Sequence, residues 1–280
     1  MSSPLISAAD LQAALQGPVP PVLLDVRWDL AHGARHDLFR AGHLPGAVFV
    51  DLGAELADPP AASGAGGRHP LPEPGRFSAA MRSAGVSARR PVVAYDGTGG
   101  LAAARAWWLL RHHGHDAVTV LDGGLDAWRA AGGSLACGPA QAPVAGDFVA
   151  AGGRLPVLDA DGAWRTAGDG VLIDARAAER FRGTTEPVDP VAGHVPGARS
   201  RPTTENLAAD GCFASPAALR EAFAALGARP GVTVGVHCGS GVTACHELLA
   251  LEAAGVQGAA LYAGSWSDWI SDPSRPVARD

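Results

Sequence analysis

Cys238 ends an apolar run, Val232-Thr233-Val234-Gly235-Val236-His237, and is followed by Gly239-Ser240-Gly241-Val242-Thr243 and then Ala244-Cys245-His246-Glu247-Leu248-Leu249-Ala250. The first run reads as a buried strand. The last, with strong helix formers and apolar residues at helical spacing, reads as a helix. A cysteine on the loop between them is a nucleophile set on an anion cradle. Gly239 and Gly241 let successive backbone N–H groups turn inward, and the start of the helix adds positive dipole character. A thiolate, or a charged sulfur species built on it, is stabilised there without any basic side chain. The competing reading is an inert cysteine buried at a strand end, which has no need of a Gly-x-Gly loop.

The elements that must position this loop occur twice. Val22-Leu23-Leu24-Asp25-Val26-Arg27 matches Val171-Leu172-Ile173-Asp174-Ala175-Arg176, and Gly42-His43-Leu44-Pro45-Gly46-Ala47 matches Gly193-His194-Val195-Pro196-Gly197-Ala198. Val92-Val93-Ala94-Tyr95-Asp96-Gly97-Thr98-Gly99 then matches Val234-Gly235-Val236-His237-Cys238-Gly239-Ser240-Gly241, and each copy closes on a strand, a glycine turn and a tryptophan, Trp128 or Trp269. Internal repetition of strands alternating with helical stretches predicts two tandem α/β domains, each a parallel sheet with helices on both faces. The expected boundaries are 1–135 for the first domain, 136–156 for a small-residue, Pro-bearing linker and 157–280 for the second. Pro59–Pro74 reads as a Gly/Pro-rich excursion within the first domain. Asp96 stands where the second copy has Cys238, so the first copy is silent in cysteine chemistry.

Composition narrows the function classes. The net charge of −6 comes without blocks of like charge and argues against a nucleic-acid partner. The segment Met1–Leu5 lacks a leader pattern and no later stretch is long and apolar enough to span a bilayer, so a cytoplasmic protein is expected. The four cysteines, at 137, 212, 238 and 245, show no paired CxxC spacing, so no metal and no disulfide framework is expected.

Together, the doubled Asp-x-Arg strand ends, the doubled Gly-His-x-Pro-Gly-Ala turns, the closing Gly/Trp segments and the loop Cys238-Gly239-Ser240-Gly241-Val242-Thr243-Ala244 resemble the rhodanese family. The likeness is to its two-domain sulfurtransferases acting on thiosulfate or 3-mercaptopyruvate, and covers nearly the whole chain. It implies that Cys238 takes a sulfane sulfur from a small donor, becomes a persulfide and passes the outer sulfur to a thiophilic acceptor such as cyanide, a thiol or a thiol protein like thioredoxin. Two displacements through one covalent intermediate need no cofactor. Cysteine phosphatases share the strand-loop-helix plan but close the loop with an arginine that clamps phosphate; this chain has Ala244 there.

The resemblance assigns the remaining roles. Gly239, Gly241, Val242 and Thr243 form the cradle, and Arg180 matches the arginine that binds the donor's anionic group with a planar fork. Ser240 is the neutral loop residue that assists the leaving group, with His43 as its relay partner; Asp29 and Asp37 are both candidates to support His43. The family's animal mercaptopyruvate enzymes carry a further arginine shortly downstream; this chain is shorter there, so that second clamp is either absent or supplied by Arg182, Arg199 or Arg201. A neutral Gly239-Ser240 pair points to 3-mercaptopyruvate over the dianion thiosulfate, with thiosulfate transfer as the alternative. A persulfide carrier or sensor without efficient small-donor turnover is the runner-up of a different class. Arg68-His69-Pro70-Leu71-Pro72 reads as a surface loop that could border the donor pocket.

Overall fold

The computed structural model describes Ser3–Asp280; of the segment Met1–Leu5 read for a leader, the first two residues lie outside the described ones. The chain forms two compact units. One comprises the residues up to Asp58, Pro72–Arg154 and Ala208–Phe213; the other comprises Pro59–Leu71, Leu155–Leu207 and Ala214–Asp280.

Each unit is built on a five-stranded parallel sheet of short strands. In the first, the order is Leu5–Ile6, Val118–Leu121, Val92–Tyr95, Val22–Asp25 and Val48–Phe49. In the second it is Val157–Leu158, Ala260–Tyr262, Val234–His237, Val171–Asp174 and Arg199–Ser200, the same topology strand for strand. All pairings within these sheets are parallel, and the three inner strands of each are almost wholly buried. Sheets covered on both faces require the near-continuous Val/Leu/Ile runs that the sequence carries. The central strand Val234–His237 delivers Cys238 at its carboxyl end and leads into the helix Ala244–Ala253. Carboxyl ends of central strands are where open parallel sheets place their ligands.

Two segments depart from expectation. The stretch 136–156 is largely not a free linker: its residues up to Arg154 belong to the first unit. The Gly138, Gly146 and Phe148 amides donate to the Arg40, Arg82 and Val86 carbonyls at 2.8, 2.8 and 3.2 Å, and the Phe148 ring is buried against Phe77 and His115. One buried aromatic anchor explains why a small-residue strand stays docked. Of the excursion Pro59–Pro74, read from the sequence as part of the first domain, Pro59–Leu71 packs with the second unit and only the residues from Pro72 on belong to the first. Its Gly66 amide donates to Asp268 Oδ1 at 2.8 Å and its Arg68 amide to Ser267 Oγ at 3.1 Å.

The first unit shows what its own cradle does without a cysteine. Asp96 is fully buried, and its two carboxylate oxygens accept from the amides of Thr98, Gly100, Ala102 and Ala103 at 2.8–3.0 Å. A strand-end loop of this sequence type therefore converges four N–H groups on one anion, and here the anion is the chain's own side chain. Removing it leaves those donors unsatisfied, and each orphaned buried donor costs about 1–3 kcal/mol. Asp96→Ala is expected to lower stability by about 3 kcal/mol or more in equilibrium urea unfolding. A loss below about 1 kcal/mol would show that water replaces the carboxylate without penalty.

Candidate active site

Cys238 is 1% exposed. The Gly241 amide donates to its Sγ at 3.1 Å, and its own amide donates to Ser265 Oγ at 3.1 Å. Gly241 has φ +79°, and a Cβ there would lie 2.2 Å from the Ala263 carbonyl oxygen, so glycine is required for the loop to close around the sulfur. Val242 is buried and Thr243 immediately precedes the helix Ala244–Ala253, without a side-chain capping bond. Ser265 has φ +56°, rare for a side-chain-bearing residue; its hydroxyl donates to the Tyr262 carbonyl at 2.9 Å while accepting from Cys238, tying two strand ends together.

The short helix Ser265–Trp269 holds two loops at once. Its Trp266 and Ser267 amides donate to the carbonyls of Cys238 and Gly239, both at 2.9 Å. Its Ser267 and Asp268 side chains hold the segment Pro59–Leu71. This brings His69 to Ser240, with Nδ1 2.8 Å from Oγ, and Arg68 to Gly239, where an added Cβ would meet Arg68 Nη2 at 3.1 Å and both terminal nitrogens of Arg180 at 3.5 Å. Gly239 is thus overlain by two guanidiniums, so the loop's own residue there is neutral while cations from two other segments face it.

A line of alternating charge fixes those guanidiniums. Asp174 receives Arg176 Nε and Nη2 at 3.0 and 2.6 Å, and Arg176 Nη1 reaches Glu186 at 3.3 Å. Glu186 accepts from Arg180 Nε at 3.0 Å, Arg180 Nη2 reaches Asp189 at 2.9 Å, and Asp189 also pairs with Arg68. The guanidinium of Arg176 lies 4.7 Å from the ring centroid of Trp266, a cation held on an aromatic face. Burial alone would raise the Asp174 carboxyl, but His237 and Arg176 beside it hold it below the usual range. Burial pushes the neighbouring His237 down towards its neutral form, and it pushes Asp189 up against the pull of Arg68. The first unit has only the beginning of this line: Arg27 holds Asp25 at 2.7 Å, but its remaining donors end on the Leu38 and Gly42 carbonyls.

The structure therefore brings Cys238, Gly239, Ser240, Gly241 and Arg180 together. His43 is not the partner of Ser240. It is buried, stacked on Phe39 with ring centroids 3.9 Å apart, and its Nδ1 lies 2.8 Å from the Phe39 carbonyl. His194 does the same in the second unit, on Phe181. A histidine with one role in both copies braces the turn. Asp29 and Asp37 both pair with Arg35, at 2.6 and 2.9 Å. None of the three suggested replacements for the second arginine lies on Gly239. Arg182 pairs with Glu179, Arg199 with the Leu226 carbonyl, and Arg201 with Asn206 and Glu247. Sequence reasoning missed Glu186 and Asp189, and reads Arg68-His69-Pro70-Leu71-Pro72 as a surface loop that could border the donor pocket. Arg68 and His69 were visible as a charged pair in the excursion, but chain order put them with the wrong domain.

The other cysteines have no comparable surroundings. Cys245 is buried with its thiol on the Gly241 carbonyl at 3.4 Å, Cys137 is exposed, and none of the four is in a disulfide. Among the described residues, no helix is long and apolar enough to cross a membrane.

A thiol that accepts a loop amide, beside two guanidiniums and a Ser–His pair, is equipped to attack the sulfur of an anionic donor. Comparison with known proteins agrees. The rhodanese-like domain model matches residues 7–131 and again 159–272. A Mycobacterium tuberculosis protein provisionally named thiosulfate sulfurtransferase SseB is 47% identical over 280 residues, covering 98% of this chain and 96% of that one. A Pseudomonas aeruginosa protein provisionally named 3-mercaptopyruvate sulfurtransferase is 45% identical over 284 residues, covering 99% and 98%. The crystal structure of SseA from Escherichia coli, described as a 3-mercaptopyruvate sulfotransferase of rhodanese fold, superposes with a TM-score of 0.80 at 32% identity, covering 95% of this chain and 99% of that one. The chain thus belongs to the rhodanese family, as a tandem-domain sulfurtransferase.

Proposed function

We propose that this protein moves sulfur from 3-mercaptopyruvate to a thiophilic acceptor through a persulfide on Cys238, with Arg180 and Arg68 binding the donor carboxylate and the His69–Ser240 pair handling the proton. The observation that carries the choice of donor is His69 Nδ1 at 2.8 Å from Ser240 Oγ, next to the cysteine. The Cys238 thiolate attacks the donor sulfur, the S–S bond forms, and the C–S bond breaks with its electron pair going to the carbon. The product of that step is pyruvate enolate, which must be protonated. Ser240, recharged through the half-buried His69, is placed to supply that proton. Sulfite, the leaving group from thiosulfate, needs none. The acceptor then attacks the outer sulfur and the Cys238 thiolate leaves, so the kinetics are ping-pong.

The two guanidiniums over Gly239 also favour a second reading, thiosulfate as main donor, because a dianion gains most from paired cations. Four cysteines without a disulfide are compatible with a cytoplasmic enzyme and with a thiol or thioredoxin-like acceptor. The two donor readings separate in one assay. Wild-type kcat/KM is expected to be higher for 3-mercaptopyruvate than for thiosulfate, and His69→Ala is expected to lower the first by about 10²-fold while leaving the second within a few fold. A wild type that prefers thiosulfate, or a variant that loses both equally, contradicts the proposal.

A further inference from the structure

We infer that Asp189 sets which anions the donor site accepts, by holding Arg68 and Arg180 together over Gly239 and cancelling one of their two charges. The inference rests on the reading of those arginines as the donor clamp. Asp189 is 3% exposed at its side chain; one carboxylate oxygen receives Arg68 Nη1 and the other receives Arg180 Nη2 at 2.9 Å. Its amide donates to Glu186 Oε1 at 3.1 Å, which fixes the carboxylate between the two guanidiniums. The groups that face Gly239 are Arg68 Nη2 and both Arg180 terminal nitrogens; of these, Arg68 Nη2 and Arg180 Nη1 are not spent on holding Asp189.

Two like charges held this close repel, and a buried carboxylate between them makes the arrangement possible. It also sets the balance. Arg180 and Arg68 are matched by Glu186 and Asp189, so the empty clamp offers directed N–H donors with no net charge. A monocarboxylate placed there adds one negative charge against these donors; a dianion adds two. Each resident carboxylate repels the dianion twice as strongly as the monoanion, and so cuts into the dianion's gain at the paired guanidiniums without any steric block. The loop's own Gly239-Ser240 pair is neutral, and Asp189 acts in the same direction.

Asp189→Asn tests this, because the amide keeps the shape and one acceptor oxygen while removing the charge. The variant is expected to raise the ratio of thiosulfate to 3-mercaptopyruvate kcat/KM about tenfold over wild type. Asp189→Glu, which keeps the charge, is expected to leave that ratio within about twofold. A second readout needs no donor: the rate of Cys238 alkylation by anionic iodoacetate relative to neutral iodoacetamide is expected to rise several-fold in Asp189→Asn. A residue that merely positioned the arginines would lower both donors together and leave both ratios unmoved, which overturns the inference. If the alkylation ratio rises while the donor ratio stays, Asp189 does not select donors, and it is the donor-clamp reading that has failed. A wild type that prefers thiosulfate leaves the comparison valid, since each ratio is taken against wild type.

Discussion

Cys238→Ser is expected to abolish sulfur transfer, with turnover on either donor falling by about 10⁴-fold or more, while the fold persists. Serine retains an acceptor for the Gly241 amide, which sits 3.1 Å from the sulfur, so the loop need not rearrange. What disappears is a group able to carry a sulfane sulfur, and no other cysteine replaces it. Cys245 is buried against the Gly241 carbonyl, and Cys137 and Cys212 lie in the other unit. Turnover by Cys238→Ser above a few per cent of wild type would require a different sulfur carrier. Circular dichroism and the urea midpoint, unchanged within error, distinguish loss of the nucleophile from loss of the fold.

Arg180→Ala is expected to raise donor KM by about 10- to 150-fold, equivalent to losing a charge-assisted contact of about 1.5–3 kcal/mol. The rate of sulfur handover from enzyme already loaded with sulfur is expected to stay within about twofold, since the clamp acts before the persulfide exists. Arg180 Nε and Nη2 are occupied by Glu186 and Asp189, which leaves Nη1, facing Gly239, for the donor. Arg68→Ala should act in the same sense. An unchanged KM for both donors in Arg180→Ala would remove the arginine from the donor site. A handover rate that falls together with the donor step would instead give it a role in holding the loop.

The residues that were legible in the sequence are those the two halves share or visibly fail to share. The doubled Asp-x-Arg and Gly-His-x-Pro-Gly-Ala segments predict two similar sheets, and the strand orders are the same in both units. The contrast of Asp96 with Cys238 singles out the proposed nucleophile, and the Asp96 carboxylate on four amides shows the capacity of such a loop for an anion. His43, by contrast, is a shared residue. Its counterpart His194 sits next to the second unit's own turn with the same hydrogen bond, so the pair serves the fold. The charged residues around Gly239 have no counterpart in the other half. Glu186 and Asp189 extend the charge line beyond Arg176, whereas Arg27 ends on backbone carbonyls. Arg68 and His69 reach the site through a segment that leaves its own half of the chain to pack on the Ser265–Trp269 helix. Sequence order cannot report that exchange, because it depends on which surface the Gly/Pro-rich segment finds. Its anchor, Gly67, approaches the Gly264 carbonyl so closely that a Cβ would lie 2.3 Å from the oxygen.

The central claim, that the sulfur in transit is bonded to Cys238, is tested most directly by mass spectrometry of the whole protein after exposure to donor without acceptor, followed by peptide mapping. The account predicts that wild type gains the mass of one sulfur atom, on the peptide containing Cys238, and that added cyanide or thiol removes it. Cys238→Ser should gain none. A sulfur adduct on Cys137, Cys212 or Cys245 that forms in Cys238→Ser and is discharged to acceptor at the wild-type rate would contradict it.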